Sequence, residues 1–197
     1  MTPKQAAARL PAALAGEDWP TARKALKALL KADPDNAALH YNLGLVHKRL
    51  GQGEQARAAL ARALERAPDH TNALFELATG LLDAELYSQA ADRFAAYTAR
   101  CPDDPDGWRN LANVRLRLDD AAGAVDAFTR LRALVPNDAD AEIGLAEARL
   151  RTGEDAEGAA LRALYARNRE ARPRLLKALH QGPRGRVPLS ASALRDR

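Results

Sequence analysis

The apolar residues of this 197-residue chain recur at helical spacing. Leu39, Leu43, Val46 and Leu50 fall three or four positions apart, which places them on one face of a helix. After a break at Leu50-Gly51-Gln52-Gly53 a second face follows, made of Leu60 and Leu64 with Ala56, Ala59 and Ala63 beside them. The stretch therefore predicts a hairpin of two helices. Residues 71–104 and 105–138 repeat the same pattern in register.

Proline fixes that register. Pro34, Pro68, Pro102 and Pro136 stand 34 residues apart, each in an acidic turn such as Asp33-Pro34-Asp35-Asn36 or Pro136-Asn137-Asp138. Proline cannot continue a helix, and a neighbouring Asp or Asn can accept hydrogen bonds from the free N–H groups of the next one. Each turn closes one helix and opens another.

These residues resemble the tetratricopeptide repeat, whose pattern runs W-x2-L-G-x2-Y, then A-x3-F, then P. Residues 105–138 supply Trp108, Leu111-Ala112, Ala124, Phe128 and Pro136. Residues 37–70 supply Leu43-Gly44, Ala56, Leu60 and Pro68, and residues 71–104 supply Leu77-Ala78, Ala90, Phe94 and Pro102. The small residues stand where the two helices of a hairpin approach, and the larger Leu60, Phe94 and Phe128 fill the space between hairpins. Both flanks depart from the pattern. Over 3–36, Trp19, Ala22, Leu26 and Pro34 fit the second half of a degenerate repeat, while the preceding helix contains Pro11 and has Arg9 where leucine is expected. Over 139–172, Leu145-Ala146 and Gly153 fit the first half of a degenerate fifth repeat, but Gly158 and Arg162 hold the slots of the alanine and the large apolar residue. Leu175, Leu176 and Leu179 then predict a capping helix over 173–180, as the water-facing end of a repeat array requires. The resemblance implies an all-α fold, a right-handed superhelical solenoid of antiparallel helix hairpins.

Composition agrees, with 45 Ala and 30 Leu against five Val and one Ile. Charge alters the picture more. Of the net +4, residues 167–197 carry nine Lys or Arg against two acidic residues, so the preceding 166 residues are slightly acidic. The Gly, Pro and Arg content of 181–197 predicts a basic flexible tail. Three accounts of that tail stand: a solvated terminus, a lead into a downstream domain such as an enzyme, or an arm for nucleic acid or an anionic surface. The tail lacks interleaved aromatics and the repeats lack excess positive charge, so nucleic acid is not the expected partner.

Candidates for chemistry are scarce. His40 and His47 occupy slots where the family has packing aromatics, His70 lies in a turn, and Cys101 precedes Pro102 as a small half-buried residue. One cysteine allows no intramolecular disulfide. With no phosphate loop, zinc motif or nucleophile elbow, the reading is a non-enzyme with no cofactor and no metal. No apolar run reaches the ~20 residues that cross a bilayer, and Arg9 and Pro11 break the short N-terminal apolar stretch, so a cytoplasmic protein is expected.

The resemblance places the first helix of each hairpin along a concave groove that binds a protein or peptide. Its slots in the second repeat are Tyr41, Asn42, Leu45 and Arg49, and in the third Asn72, Phe75, Glu76, Thr79 and Asp83. The fourth gives Asp106, Arg109, Asn110, Asn113 and Arg117, and the fifth Asp140, Ile143, Glu147 and Arg151. Asparagine amides can pair with an extended backbone. The remaining rings considered, Trp19, Tyr87, Phe94, Tyr97, Trp108 and Phe128, fall in packing slots, which leaves Tyr41 and Phe75 to touch a partner. In the family members that clamp a C-terminal carboxylate of a chaperone tail, lysine, asparagine and arginine converge on it. Here Glu76 and Asp106 stand where cations are needed, so such a tail is not the expected ligand.

Overall fold

In the computed structural model, residues 1–155 and 158–179 are described; the tail expected over 181–197, and His180, lie outside the described residues. The described residues form eleven helices and no strand: α1 (Pro3–Ala15), α2 (Trp19–Ala32), α3 (Ala37–Arg49), α4 (Gly53–Arg66), α5 (Thr71–Asp83), α6 (Tyr87–Arg100), α7 (Pro105–Arg117), α8 (Ala121–Leu134), α9 (Ala139–Thr152), α10 (Ala159–Arg167) and α11 (Arg172–Leu179). They fall into two compact units, with α1 to α6 in Met1–Cys101 and the rest from Pro102 onward. The fold is an all-α solenoid of helix hairpins.

Capping repeats with the same 34-residue period as the prolines. Thr2, Asn36, His70, Asp104 and Asp138 are the N-caps of α1, α3, α5, α7 and α9, and each side chain accepts a hydrogen bond from a backbone N–H of the first turn. His70 is thus a helix cap, more than the surface turn residue its position suggested. Its Nδ1 accepts from the Ala73 N–H at 3.2 Å. The short link inside each hairpin has its own period: Glu17, Gly51, Glu85, Asp119 and Gly153 all adopt positive φ, between 55° and 83°. Reversing the chain between two helices in so few residues requires one left-handed residue, a conformation that costs an L-residue with a Cβ about 1–2 kcal/mol.

Both flanks carry features of their own. Helix α1 runs unbroken through Pro11, which is exposed, and Thr2 and Gln5 cap its start reciprocally. An exposed proline leaves the carbonyl four residues back open to water, so the helix continues through it. At the other end α10 starts only after Gly158, itself at φ 64°, and has nine residues where α8 has fourteen.

Small side chains set how closely helices approach. A Cβ built on Gly44 would lie 2.7 Å from Leu60 Cγ, and one on Gly144 would collide with the Phe128 ring. Ala78, Ala112, Phe94 and Phe128 are at most 1% exposed. In the first unit α1 to α4 close over Ala13, Ala22, Leu26, Leu43, Val46 and Ala59. In the second, Leu161, Leu164 and Tyr165 of α10 and Leu175 and Leu179 of α11 pack on Ile143 and Leu150 of α9. Tyr165, which the repeat pattern does not single out, is buried there with the Arg172 guanidinium 4.9 Å from its ring centre.

Two consequences are measurable by urea denaturation. Glu85→Gly and Asp119→Gly are each expected to stabilise the chain by about 0.5–1 kcal/mol, because glycine relieves the left-handed backbone, whereas Gly51→Ala costs about 1 kcal/mol. Gly144→Ala is expected to cost about 1–3 kcal/mol, since the enclosed Phe128 ring has no room to yield.

Candidate protein-binding face

In the first unit the predicted residues lie on α3 and α5. Tyr41 is half-buried, and its ring sits against the His70 imidazole with centroids 4.6 Å apart and planes tilted by 39°. The residue that caps α5 therefore also positions an aromatic ring of α3. Burial raises the Tyr41 phenol above its ordinary range; Glu76 adds to the shift and Lys48 opposes it, so the group remains an O–H donor at neutral pH. Lys48 and Glu76 form an ion pair at 2.7 Å that joins α3 to α5.

Phe75 is also half-buried, edge-on to Phe94 at 5.8 Å and tilted against Tyr97 at 5.0 Å. Tyr41 and Phe75 are thus both anchored by neighbouring rings, and each remains partly exposed. Helical spacing identifies the face of α5 on which Phe75 lies but not how far the rings of α6 reach toward it. Of the rings assigned to packing, Phe94, Tyr97 and Phe128 are buried, while Trp19, Tyr87 and Trp108 are half-buried.

The polar residues of this face divide by partner. Asn42 Nδ2 donates to the Ala38 carbonyl of its own helix at 2.9 Å, and Thr79 Oγ1 donates to the Phe75 carbonyl at 3.0 Å. Arg49 lies over the Trp19 ring at 5.7 Å, Leu45 is half-buried, and Asn72 is exposed with no side-chain hydrogen bond among the described residues.

In the second unit Arg109 bridges Asp106 of its own helix and Asp138, the N-cap of α9. Burial alone would raise the Asp138 carboxyl, but the Ala141 N–H and the Arg109 guanidinium outweigh it and hold the group below the ordinary carboxylate value. Asn110 and Asn113 are half-buried with no side-chain hydrogen bond among the described residues, and Arg117 is exposed.

The fifth-repeat slots do not continue this face. Ile143 is 2% exposed beneath α10 and α11, Asp140 pairs with Arg174 of α11, and Arg151 binds Glu147 and the Leu116 carbonyl. The short α10 and α11 pack onto α9 here.

The two histidines of α3 are structural. Nε2–H of His40 donates to the Pro34 carbonyl at 2.8 Å, and Trp108, two repeats later in the same slot, donates its indole N–H to the Pro102 carbonyl at the same distance. His47 bonds the Gln52 side chain at 2.7 Å. Among the described residues no group of three or more His, Cys, Asp or Glu is placed to hold a metal ion, and no helix is long and apolar enough to cross a membrane.

Tetratricopeptide repeat models match residues 13–77, 75–139 and 109–169. The chain belongs to the tetratricopeptide repeat family. Its fold is similar to that of MamA protein, with 17% identity over 95% of this chain and 97% of that one and a TM-score of 0.71. It is similar also to MamA from Desulfovibrio magneticus RS-1, with 17% identity, 89% and 94% coverage and a TM-score of 0.69. A tetratricopeptide repeat protein from Parabacteroides merdae ATCC 43184 gives 18% identity, 89% and 70% coverage and a TM-score of 0.73. At these identities the likeness is one of fold. No curated protein matches the sequence significantly.

The Arg109–Asp138 pair gives a pH prediction specific to this tetratricopeptide chain. The folded carboxyl titrates below its unfolded value of about 3.9, so its contribution is complete above that pH and is lost as pH falls through the folded value. Asp138→Asn keeps an N-cap acceptor but removes the charge. It is expected to cost about 1 kcal/mol at pH 7 in urea melts, with the difference shrinking below about pH 4 and at high salt.

Proposed function

We propose that this chain is a non-catalytic interaction scaffold that binds a protein or peptide segment along the first helices of its hairpins. The observation that carries the reading is the ordered face of α3 and α5. Two partly exposed rings, Tyr41 and Phe75, are held by His70, Phe94 and Tyr97, with the Lys48–Glu76 pair, the Asn42 side-chain oxygen and Asn72 on the same two helices. Anchored aromatics beside polar groups suit recognition, because little side-chain freedom remains to be lost on contact. On α7, Asn110 and Asn113 offer amides without internal side-chain partners among the described residues, which suits pairing with an extended backbone. Glu76 and Asp106 on these helices support a ligand other than a free C-terminal carboxylate. Membership of a family built on interaction repeats supports the same conclusion.

The test is affinity capture from cell extract with the full chain and with an Asn42→Ala, Asn110→Ala variant whose melting behaviour matches wild type. Specific partners are expected to fall at least several-fold in the variant, read by quantitative mass spectrometry. Equal recovery of every partner would remove this face from the account.

A further inference from the structure

A different face of the first unit carries a cleft that the groove reading does not use. It has a volume of about 660 Å³ and lies between α2, α3 and α4, the second helices of two successive hairpins forming its walls. Its size falls within the ~300–1,000 Å³ range of ligand-binding clefts.

The lining has a definite chemical order. Lys27 and Lys31, one helical turn apart on α2, border one side, and Arg62 and Arg66 of α4 border the other. The rest of the lining includes half-buried Leu30 and exposed Ala58, with Leu43 and Ala59 buried beneath, and the side chains of His40, His47 and Gln55. Glu65 is the one acidic residue of the lining. Arg66 is engaged by Asp35 at 2.7 Å, but Lys27, Lys31 and Arg62 are exposed and have no ion pair among the described residues. Three uncompensated cations thus flank an apolar strip, in a repeat body whose overall charge is slightly negative. The same two lysines also line an adjacent cleft of about 600 Å³ together with Arg23 and Lys24, so positive charge continues along α2.

We propose that this cleft is a second docking site, separate from the α3–α5 face, and that its occupant is an acidic peptide segment with interspersed apolar side chains. Charge complementarity selects the sign of the ligand. The apolar strip selects its form, because a single phosphate or carboxylate can meet one cationic border but leaves half-buried Leu30 and exposed Ala58 uncovered. A segment carrying both carboxylates and leucine-like side chains meets both borders and the strip. A flat anionic bilayer reaches the rims of a cleft better than its floor.

The test uses the full chain and a fluorescein-labelled nonapeptide of three Asp-Leu-Glu units, followed by fluorescence anisotropy. A peptide of three Asn-Leu-Gln units, inorganic phosphate and phosphatidylglycerol vesicles serve as comparisons. The acidic peptide is expected to bind, with affinity falling about tenfold or more in the Lys27→Glu, Arg62→Glu variant and falling also with salt. Because both substituted side chains are exposed, circular dichroism is expected to be unchanged. The Asn42→Ala, Asn110→Ala variant is expected to bind the peptide as wild type does, so this site and the α3–α5 face fail or succeed independently. Failure of the acidic peptide to bind, equal binding of the uncharged peptide, or no effect of the charge reversal would overturn the proposal. Complete displacement by millimolar phosphate would show a simple anion site instead, and tighter, charge-dependent binding to vesicles would show a membrane-facing one; either also overturns it.

Discussion

Helices can pair this closely only where one of them carries almost no side chain. Gly44 lies against Leu60 where a methyl group would already collide, and fully enclosed Ala78 and Ala112 hold the same position in the next two hairpins. A hairpin so tight has little interior of its own. Its apolar flank must be covered by a neighbour, and the stacked architecture follows from that need. Gly144 shows the constraint between repeats: α9 packs so closely on the Phe128 ring that the slot held earlier by Asn42, Glu76 and Asn110 admits only a hydrogen there.

The residues proposed to meet a partner inherit their order from this stacking. Tyr41 is set by the residue that caps the next hairpin, Lys48 by a glutamate one repeat on, and Arg109 by the N-cap of α9. Each contact joins residues about 30 positions apart in sequence. Within each unit these side chains are therefore positioned by the neighbouring repeat, and the same contacts join one repeat to the next.

Much of this was legible in the sequence because the period is strict. Prolines spaced by 34 located the turns, and helical spacing assigned Leu43, Val46 and Leu60 to the core, where the structure has them. The packing role of His40 followed from its slot, and the hydrogen bond it shares in kind with Trp108 supplies the reason: either ring can present an N–H to the carbonyl of the preceding turn's proline. The left-handed links were legible only at Gly51 and Gly153. At Glu17 and Glu85 the residue type gives no sign of positive φ, because the geometry is imposed by the two helices on either side.

What the sequence determined by itself was the helical secondary structure, its period and, in the well-matched repeats, most of the residues facing the core, since all three depend on spacing along one chain. What only the tertiary structure decided was the environment of each surface residue. Phe75 is anchored because α6 brings Phe94 and Tyr97 to it. Ile143 became buried because α10 and α11 pack on α9. Lys27 and Arg62 came to flank one cleft although 35 residues separate them. Proximity across a stack depends on how far side chains of different helices reach, and the repeat pattern of a single helix does not contain that distance.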